Sequence, residues 1–246
     1  MKRRGVSAKA SGNLNPRLGG AKGASRIVRI ALHGASGRMG SRVQALLPEF
    51  PDLKLVAALG AADRLKAKVD VLVDFSTPDA VRSRLVEWGK ARIPLVIGTT
   101  GLAPATLAAL DHLSRAVPVL VASNTSRGAN ALLALAEAAA RMLPGWEAQM
   151  VETHHAGKRD SPSGTALSIA EAFARGGGKV GAIHALRIGD VVGEHEILLC
   201  GPGERIRISH ATLDRDIFAR GALEAARFVA RAKPGRYGMS DVLASR

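Results

Sequence analysis

Short apolar runs alternate with amphipathic stretches through the first half of the chain. Each run of aliphatic and β-branched residues is followed by a segment in which apolar residues recur every three or four positions. This alternation predicts a parallel sheet whose strands are joined by helices on both of its faces. The predicted strands are 27–32, 53–59, 69–75, 94–98 and 117–122, and the predicted helices end near 47 or cover 79–90 and 104–115. The first half therefore predicts a doubly wound α/β domain.

The pattern changes after residue 123. The predicted helices are 129–143, 163–175 and 217–232, and the predicted strands are 147–153, 182–188, 194–200 and 205–210. Because the last three strands follow one another across glycine-containing turns, they predict a second, α+β domain with a mixed, largely non-parallel sheet. The helix at 217–232 resumes the Ala-rich amphipathic pattern of the first half. The expected division is a tail at 1–26, a first domain at 27–125 with 215–246, and a second domain at 126–214.

The net charge of +14 is concentrated at the start of the chain. Half of it comes from the first 26 residues, which contain no acidic residue, are rich in Gly and Ser, and predict a disordered tail. Aromatic residues make up 3%, which leaves little for stacking on bases, so no nucleic-acid partner is expected. No apolar run approaches the roughly 20 residues of a membrane helix, so no membrane partner is expected either.

One cysteine, Cys200, excludes an intrachain disulfide and favours a cytoplasmic setting. It lies in an apolar strand pattern without neighbouring cations, so we expect it to be buried.

A glycine triplet lies between the first predicted strand and the helix that follows it. In Gly34-x-x-Gly37-x-x-Gly40, the first glycine permits a tight turn, the second lets backbone approach a pyrophosphate, and the third allows close helix packing. Such a fingerprint requires a strand before the glycines and a helix after them, and both are predicted here. The sequence therefore predicts a Rossmann-like dinucleotide site.

The end of the second predicted strand bears on the choice of cofactor. An acid that holds the adenosine ribose usually stands there, but the nearest acid is Asp63, and Arg64, Lys66 and Lys68 follow it. Cations without an acid at the strand end fit tolerance of a 2′-phosphate. We expect NADPH to be used at least as well as NADH.

The segment from 152 to 166 concentrates proton-transfer and anion-binding groups. His154 and His155 can exchange a proton near neutral pH, and Lys158 can donate a proton or hold an anion. Gly164 and Thr165 open a predicted helix, where unpaired N–H groups favour a bound carboxylate or phosphate. A proton donor beside an anion site predicts an active site. No metal site is expected, because the adjacent histidines lack the spacing of common zinc motifs.

Other classes of protein fit the residues less well. A short-chain dehydrogenase requires Tyr-x-x-x-Lys, but Asp241 occupies the fourth position after the only tyrosine, Tyr237. A dehydrogenase of the semialdehyde type requires a nucleophilic cysteine, for which Cys200 is a poor candidate. A catalytically silent dinucleotide-binding regulator would need neither His154 nor Lys158. A basic nucleic-acid-binding module would need its charge within the fold.

From about residue 28 to 243 the sequence resembles the dihydrodipicolinate reductase family. The motifs that carry the resemblance occur in order: Gly-Ala-Ser-Gly-Arg-Met-Gly at 34–40, Asp-Phe-Ser-Thr-Pro at 74–78, Ile-Gly-Thr-Thr-Gly at 97–101, Ala-Ser-Asn-Thr-Ser-Arg-Gly-Ala-Asn at 122–130, the segment at 152–166, Gly-Asp-Val-Val-Gly-Glu-His at 189–195 and Gly-Glu-Arg-Ile-Arg-Ile-Ser-His-Ala at 203–211. The His-His-x-x-Lys-x-Asp-x-Pro-Ser-Gly-Thr-Ala segment is the most specific of them.

The resemblance implies NAD(P)H-dependent reduction of 4-hydroxy-tetrahydrodipicolinate to tetrahydrodipicolinate, with release of water, in lysine and diaminopimelate biosynthesis. It implies that His154 and Lys158 are catalytic and that His155, Gly164 and Thr165 bind a small dicarboxylate substrate. It also implies a homotetramer assembled through the sheet of the second domain. The cofactor-binding residues it implies are Gly34, Ala35, Ser36, Gly37, Arg38, Met39, Gly98, Thr99, Thr100, Ala122, Ser123, Asn124 and Thr125.

Two features depart from the family pattern. The connection between the second and third strands, 60–70, is shorter than usual, and this affects adenosine recognition. Thr125 replaces an aromatic residue, so contacts near the nicotinamide are expected to differ.

Overall fold

The computed structural model describes residues 26–60 and 62–245. The predicted tail lies outside the described residues except for Arg26. The strands are β1 Val28–His33, β2 Leu53–Leu59, β3 Val71–Asp74, β4 Leu95–Ile97, β5 Pro118–Val121, β6 Glu147–His154, β7 Val180–Arg187, β8 Gly193–Gly201, β9 Glu204–Thr212 and β10 Gly235–Tyr237. The helices are α1 Arg38–Leu46, α2 Pro78–Lys90, α3 Pro104–Ser114, α4 Arg127–Met142, α5 Gly164–Arg175, α6 Asp216–Val229 and α7 Met239–Ala244, and a 3-10 turn covers Leu47–Glu49.

The first sheet has six strands in the order β10-β5-β4-β3-β1-β2, and every pairing is parallel. Helices α1, α6 and α7 pack on one face, where Val43, Leu223 and Met239 join the core. Helices α2 and α3 pack on the other, through Trp88 and Leu110. Apolar residues of the central strands are buried on both faces, which explains their continuous apolar runs. The predicted doubly wound, Rossmann-like fold is confirmed.

The second sheet has the order β7-β6-β8-β9. Strands β6 and β7 are parallel, whereas β8 is antiparallel to both β6 and β9, as the prediction of a mixed, largely non-parallel sheet requires. Residues of β6 alternate between exposed and buried. The buried face packs against α4 and α5, whereas Val151 and Leu186 remain exposed on the opposite face.

Three helices begin at a hydroxyl residue that caps them. Thr77, Ser126 and Ser163 accept hydrogen bonds from the backbone N–H of Ala80, Ala129 and Ala166, at the starts of α2, α4 and α5. Each cap satisfies a donor that the first turn of a helix leaves unpaired. The last two caps matter for the site, because α4 follows the crossing between the sheets and α5 lines the cleft described below.

The C-terminal elements were the part that sequence patterns did not predict. Strand β10 has three residues and pairs with the edge of β5, and α7 has six residues. Elements this short show no periodicity. The other predicted strands and helices are present, with ends displaced by a few residues; for example, the helix predicted at 217–232 is α6, Asp216–Val229. Within the described residues, no helix is both long and apolar enough to span a membrane.

Candidate functional site

The glycine loop connects β1 to α1 and has no room for side chains at two of its glycines. Gly34 has a φ of +80°, and a Cβ there would overlap the carbonyl group of Phe75. A Cβ on Gly40 would overlap the carbonyl groups of Gly34 and Ala35. Gly37 is the N-cap of α1 and has no side chain to satisfy the helix N–H groups. The N–H groups of Gly34, Ala35 and Gly37 donate to carbonyl oxygens of Leu59 and Gly34, so any donors for a ligand are those of the first turn of α1, at the positive end of its helix dipole.

A pocket of about 450 Å³ lies beside this loop, at the carboxyl ends of the parallel strands. Nine predicted cofactor residues line it: Gly37, Arg38, Met39, Gly98, Thr99, Thr100, Ala122, Ser123 and Thr125. Among the other predicted residues, Gly34 and Ala35 are buried in the turn and Ser36 is exposed. Asn124 lines the neighbouring cleft instead.

Aromatic residues that sequence reasoning missed also line this pocket. Phe75 and Phe218 contribute to its wall. Thr125 is buried, and its hydroxyl donates to the carbonyl oxygen of Phe218 at 2.7 Å. The aromatic wall beside position 125 therefore comes from α6, which the sequence places 93 residues away.

A buried carboxylate organises the floor of the pocket. Asp74, at the end of β3, lies 2.5 Å from Nδ1 of His33 and accepts hydrogen bonds from the hydroxyl groups of Ser76, at 2.8 Å, and Thr99. Both Asp74 and His33 are almost completely buried. Ser76 and Thr99 line the pocket, so this carboxylate fixes two of its hydroxyl groups. The Asp-Phe-Ser-Thr-Pro motif was the sequence signal for this network, but its role depends on strands that meet only in the fold.

An acidic group does stand at the end of β2, contrary to the sequence analysis. The backbone N–H of Gly60, directly after β2, donates to the carboxylate of Asp63 at 2.7 Å. Asp63 is four positions past the last residue of β2, and its carboxylate contacts the residue that directly follows the strand. Asp63 and Arg64 are both exposed there.

A larger cleft of about 900 Å³ joins the two parts of the predicted site. Its lining includes Arg38 and Met39 of the glycine loop together with His154, His155, Lys158 and Thr165. The cofactor pocket shares Arg38, Met39, Ser123 and Phe218 with this cleft, so one opens into the other. Arg215 also lines the cleft, from the N-cap position of α6. Residues about 120 positions apart in the sequence therefore face the same space.

His154 ends β6, and its side chain is 9% exposed. Its Nδ1 lies 2.9 Å from Oε2 of Glu152, an ion-pair distance, without the alignment of a hydrogen bond. Burial lowers the pKa of His154 below its ordinary value; the Glu152 carboxylate opposes this, and the positive charges of Lys158 and Arg187 add to it. These surroundings therefore favour a neutral imidazole near pH 7.

Glu152 is completely buried beneath this imidazole. Its Oε1 accepts hydrogen bonds from the backbone N–H of Ser163 at 3.0 Å and from the guanidinium of Arg187 at 2.8 Å. Burial alone would raise the pKa of Glu152, but the hydrogen bonds from Ser163 and Arg187 hold it below its usual value. The group is therefore an anion that links β6, β7 and the start of α5.

The loop from β6 to α5 carries the remaining predicted groups. Lys158 Nζ lies 2.8 Å from Oδ1 of Asp160, and this contact lowers the pKa of Asp160. Thr165, on the first turn of α5, accepts a hydrogen bond from Nδ2 of Asn124 at 3.1 Å. Gly164 is the first residue of α5 and is exposed. The helix start thus contacts the segment that leads away from the first sheet.

Among residues 26–60 and 62–245, one cluster has ligand atoms close enough for a metal ion. Ligand atoms of Glu152, His154 and His195 lie within 4.8 Å of one another. Sequence spacing could not reveal this set, because His195 comes from β8. A cation there would meet the Arg187 guanidinium on Glu152 and would compete with the 3.1 Å contact between His195 and Ser163. These neighbours fit a hydrogen-bonded network better than a metal site.

Cys200 is exposed, contrary to the prediction that it is buried. It lies on the outer face of β8, opposite Arg205 of β9. The alternation of β8 places Leu199, not Cys200, in the core.

Two family profiles match consecutive parts of the chain and together cover most of it. The profile described as "Dihydrodipicolinate reductase, N-terminus" matches residues 28–125, and "Dihydrodipicolinate reductase, C-terminus" matches residues 128–243. The two matches divide the chain close to the start of α4, where it leaves the first sheet for the second.

Similar proteins carry a consistent description. The chain is 36% identical over 248 residues to a 4-hydroxy-tetrahydrodipicolinate reductase of Caldanaerobacter subterraneus subsp. tengcongensis, and 41% identical over 234 residues to one of Stenotrophomonas maltophilia. Each match covers 88% of this chain and 98% of the relative. A dipicolinate-bound dihydrodipicolinate reductase from Paenisporosarcina sp. TG-14 has a similar structure, with a TM-score of 0.75, 24% identity, and coverage of 86% of this chain and 97% of that one.

Proposed function

The chain belongs to the dihydrodipicolinate reductase family, and from that premise we propose that it reduces 4-hydroxy-tetrahydrodipicolinate to tetrahydrodipicolinate. The donor is NADPH or NADH, and water is released. One observation carries the proposal: the glycine loop and the segment His154–Thr165 line a single cleft. We assign cofactor binding to 27–125 with 215–246 and substrate binding to 126–214.

The described residues fit a dinucleotide along the edge of the first sheet. The loop 34–39 would hold the pyrophosphate, since its glycines let a ligand approach the backbone and the first turn of α1 adds the helix dipole. Residues 98–100 and 122–125 would hold the nicotinamide half, since most of them line the same pocket. When bound, the reduced nicotinamide supplies a hydride. The Asp74 network keeps Thr99 and Ser76 in place for this half.

The substrate's carboxylates would be held at the start of α5 and by nearby cations. Gly164 and Thr165 offer backbone N–H groups at the positive end of the helix, and Thr165 also offers a hydroxyl. Lys158 and His155 line the same cleft. A dianionic substrate suits this surface, because its two negative charges would offset the positive charges that line the cleft.

His154 and Lys158 would supply the proton that accompanies the hydride. Burial lowers the pKa of His154 and so favours its neutral form. Two substrate carboxylates nearby would favour the protonated form of His154, so substrate binding would itself promote protonation of the acid. Lys158 is paired with Asp160 here and would exchange that partner for substrate. Their positive charge would also stabilise negative charge that develops on the substrate.

Both cofactors would bind at the end of β2. Asp63 could accept a hydrogen bond from the ribose hydroxyls of NADH, and Arg64, Lys66 and Lys68 could pair with the 2′-phosphate of NADPH. We therefore retain the proposal that NADPH is used at least as well as NADH, with Asp63 supporting NADH.

The exposed face of the second sheet is the proposed assembly surface. Val151 and Leu186 are apolar and exposed there, and Leu198 lies between them and Arg207 on the same face. We propose a homotetramer formed through this face, in the cytoplasm. Sedimentation equilibrium should give four times the mass of one chain, and a monomer at micromolar concentration would contradict the assembly.

Nicotinamide oxidation with freshly generated substrate tests the proposed function. The substrate is generated in the cuvette by a coupled synthase, and absorbance of NADPH or NADH is followed. We expect turnover with each cofactor that depends on both the synthase and this protein. Folded protein that oxidises neither cofactor would overturn the proposal. Omission of the synthase controls for oxidation without substrate.

A further inference from the structure

The motif at 189–195 has no role in the function proposed above, yet it ends beside His154. Gly193 and His195 begin β8, and β8 pairs with β6 so that His195 stands directly opposite Glu152. Both residues are buried. The motif therefore delivers one glycine and one imidazole to the inner face of the second sheet, under the cleft.

Gly193 and His195 both border the ring of His154. A Cβ added to Gly193 would lie 3.0 Å from Nε2 of His154, so a side chain there would press on that nitrogen. The ring of His195 packs edge to face against the ring of His154, with centroids 5.1 Å apart. The two residues limit the planes that the His154 ring can adopt, and Glu152 lies beside its Nδ1.

His195 also contacts the start of α5. Its Nε2 lies 3.1 Å from the hydroxyl oxygen of Ser163 and 3.8 Å from Oε2 of Glu152. Ser163 is the N-cap of α5, and its oxygen accepts the N–H of Ala166. The Glu152 carboxylate favours a proton on Nε2 of His195, and with that tautomer the imidazole donates to Ser163. One side chain thus touches the ring that would transfer a proton and the cap of the helix that would bind carboxylate.

The surroundings of His195 keep it neutral. Burial lowers its pKa to about 4, with His154, His210 and Lys158 adding to the effect and Glu152 opposing it. His210 faces it from the opposite position on β9. A neutral ring keeps a single N–H and cannot compete with His154 as the acid.

We propose that His195 is a positioning residue that holds the ring of His154 and the hydroxyl of Ser163 in one arrangement. It thereby couples proton delivery to the carboxylate site at the start of α5. This role rests on the proposed function of His154 and Thr165. Neither Gly193 nor His195 needs to touch the substrate for it.

Two substitutions separate positioning from simple packing. His195→Leu fills the space with an apolar side chain and removes the N–H, whereas His195→Gln keeps a side-chain N–H near the position of Nε2. For His195→Leu we expect kcat/KM for the substrate to fall about 10- to 100-fold, the scale of small misplacements in an active site. His195→Gln should recover most of this loss, and KM for the nicotinamide should stay unchanged in both. His112→Leu, on the exposed surface of α3, is the matched control.

Ring ¹⁵N NMR spectra of His154 provide a readout that does not require turnover. In the wild type above pH 7, we expect the tautomer protonated on Nδ1, which faces Glu152. In His195→Leu the signal should move toward the tautomer protonated on Nε2, and His195→Gln should resemble the wild type. The His154 signals are assigned by their absence in His154→Gln.

The possible results are distinguishable. A kcat/KM for His195→Leu within twofold of the wild type would overturn the proposal, as would equal losses in both variants with an unchanged His154 tautomer. If the wild type oxidises no cofactor, the proposed function fails, but the tautomer comparison still tests whether His195 positions His154. If His195→Leu does not fold, His195→Asn replaces it, because asparagine places its N–H near Nδ1 instead of Nε2.

Discussion

The carboxylate of Glu152 is completely buried, yet it remains an anion. Its stability comes from the guanidinium of Arg187 and the N–H of Ser163, which satisfy one oxygen and leave the other facing His154. A buried charge held in this way orients its neighbours at fixed distances. The imidazole of His154 is tuned by this carboxylate, by burial and by cations from two other segments.

Removing either proposed proton donor should slow the reaction strongly. We expect His154→Ala and Lys158→Ala each to lower kcat by about 10²–10⁴-fold, the usual contribution of a general acid.

The pH dependence of the wild type tests the role of His154 as the acid. In kcat/KM the alkaline limb should lie below the ordinary histidine pKa, because burial lowers the pKa of His154 in the free enzyme. In kcat the limb should move to higher pH, because bound carboxylates favour the protonated ring. Unchanged turnover in both variants would remove these residues from the mechanism.

Asp63 should influence the choice between the two cofactors. In Asp63→Ala the carboxylate beside Gly60 is lost while Arg64 remains, so kcat/KM should fall for NADH and stay equal or rise for NADPH. Loss of a hydrogen bond from a ribose hydroxyl to a charged group corresponds to about 10-fold or more. Steady-state kinetics with each cofactor at saturating substrate would measure this. Equal changes for both cofactors would show that Asp63 only shapes the turn.

Helix α5 is placed by its cap and by the strands beneath it. Its first turn has open N–H groups, Ser163 satisfies one more, and Phe173 and Ile169 anchor the opposite face in the core. Strand β6 brings His154 to the same edge, and β8 brings His195. The sequence predicted each of these elements separately, but β8 and β6 are neighbours only through antiparallel pairing.

Two N-cap substitutions should have similar effects on stability and different effects on function. Ser163→Ala and Thr77→Ala each remove a hydroxyl that accepts a helix N–H, so each should destabilise the fold by about 0.5–2 kcal/mol. Only Ser163→Ala should raise KM for the substrate, because α5 borders the cleft with His154 and α2 does not. Urea denaturation and steady-state kinetics would measure the two effects. A raised substrate KM in Thr77→Ala would mean that stability alone controls binding.

The molecule as a whole brings the two candidate subsites together by letting the chain leave the first sheet and return to it. After β5, residues 126–214 build the second sheet, and α6 and β10 then complete the first. Phe218 of the returning segment lines both the cofactor pocket and the cleft. Buried histidines in the second sheet make the stability of the whole fold depend on pH.

Stability should decline as the pH falls below about 6.5. The folded-state pKa of His195 is about 4, below its ordinary 6.5, so the unfolded chain binds a proton there that the folded chain does not. This contribution is present above pH 6.5 and is lost between pH 6.5 and 4; it amounts to roughly 2 kcal/mol between pH 7 and pH 5. His154 and His210, whose pKa values burial also lowers, act in the same direction. Urea denaturation at both pH values should therefore show a smaller loss in His195→Gln, and an equal loss would contradict the assignment to His195.

Much of this protein could be predicted from local sequence. The period of apolar residues gave β1 to β9 and α1 to α6 with small errors at the ends, because each buries a continuous strip of side chains. The glycine loop and the His154–Thr165 segment were identified because their chemistry lies within a few consecutive residues. Strand β10 and helix α7 escaped, because elements of three and six residues are held by the partners they meet, not by their own pattern.

The sequence by itself determined the fold class, the family and the two segments that form the candidate site. Tertiary structure alone decided which distant groups act on them: Asp74 and His33 under the cofactor pocket, Phe218 in its wall, Asp63 at the end of β2, and His195 against His154. The physical reason is that hydrogen bonds and burial depend on distances between strands, whereas residue type and spacing report only what lies nearby along one chain. Tertiary structure also decides the charge states, because the burial of His195 is a property of the packed sheet and not of the histidine.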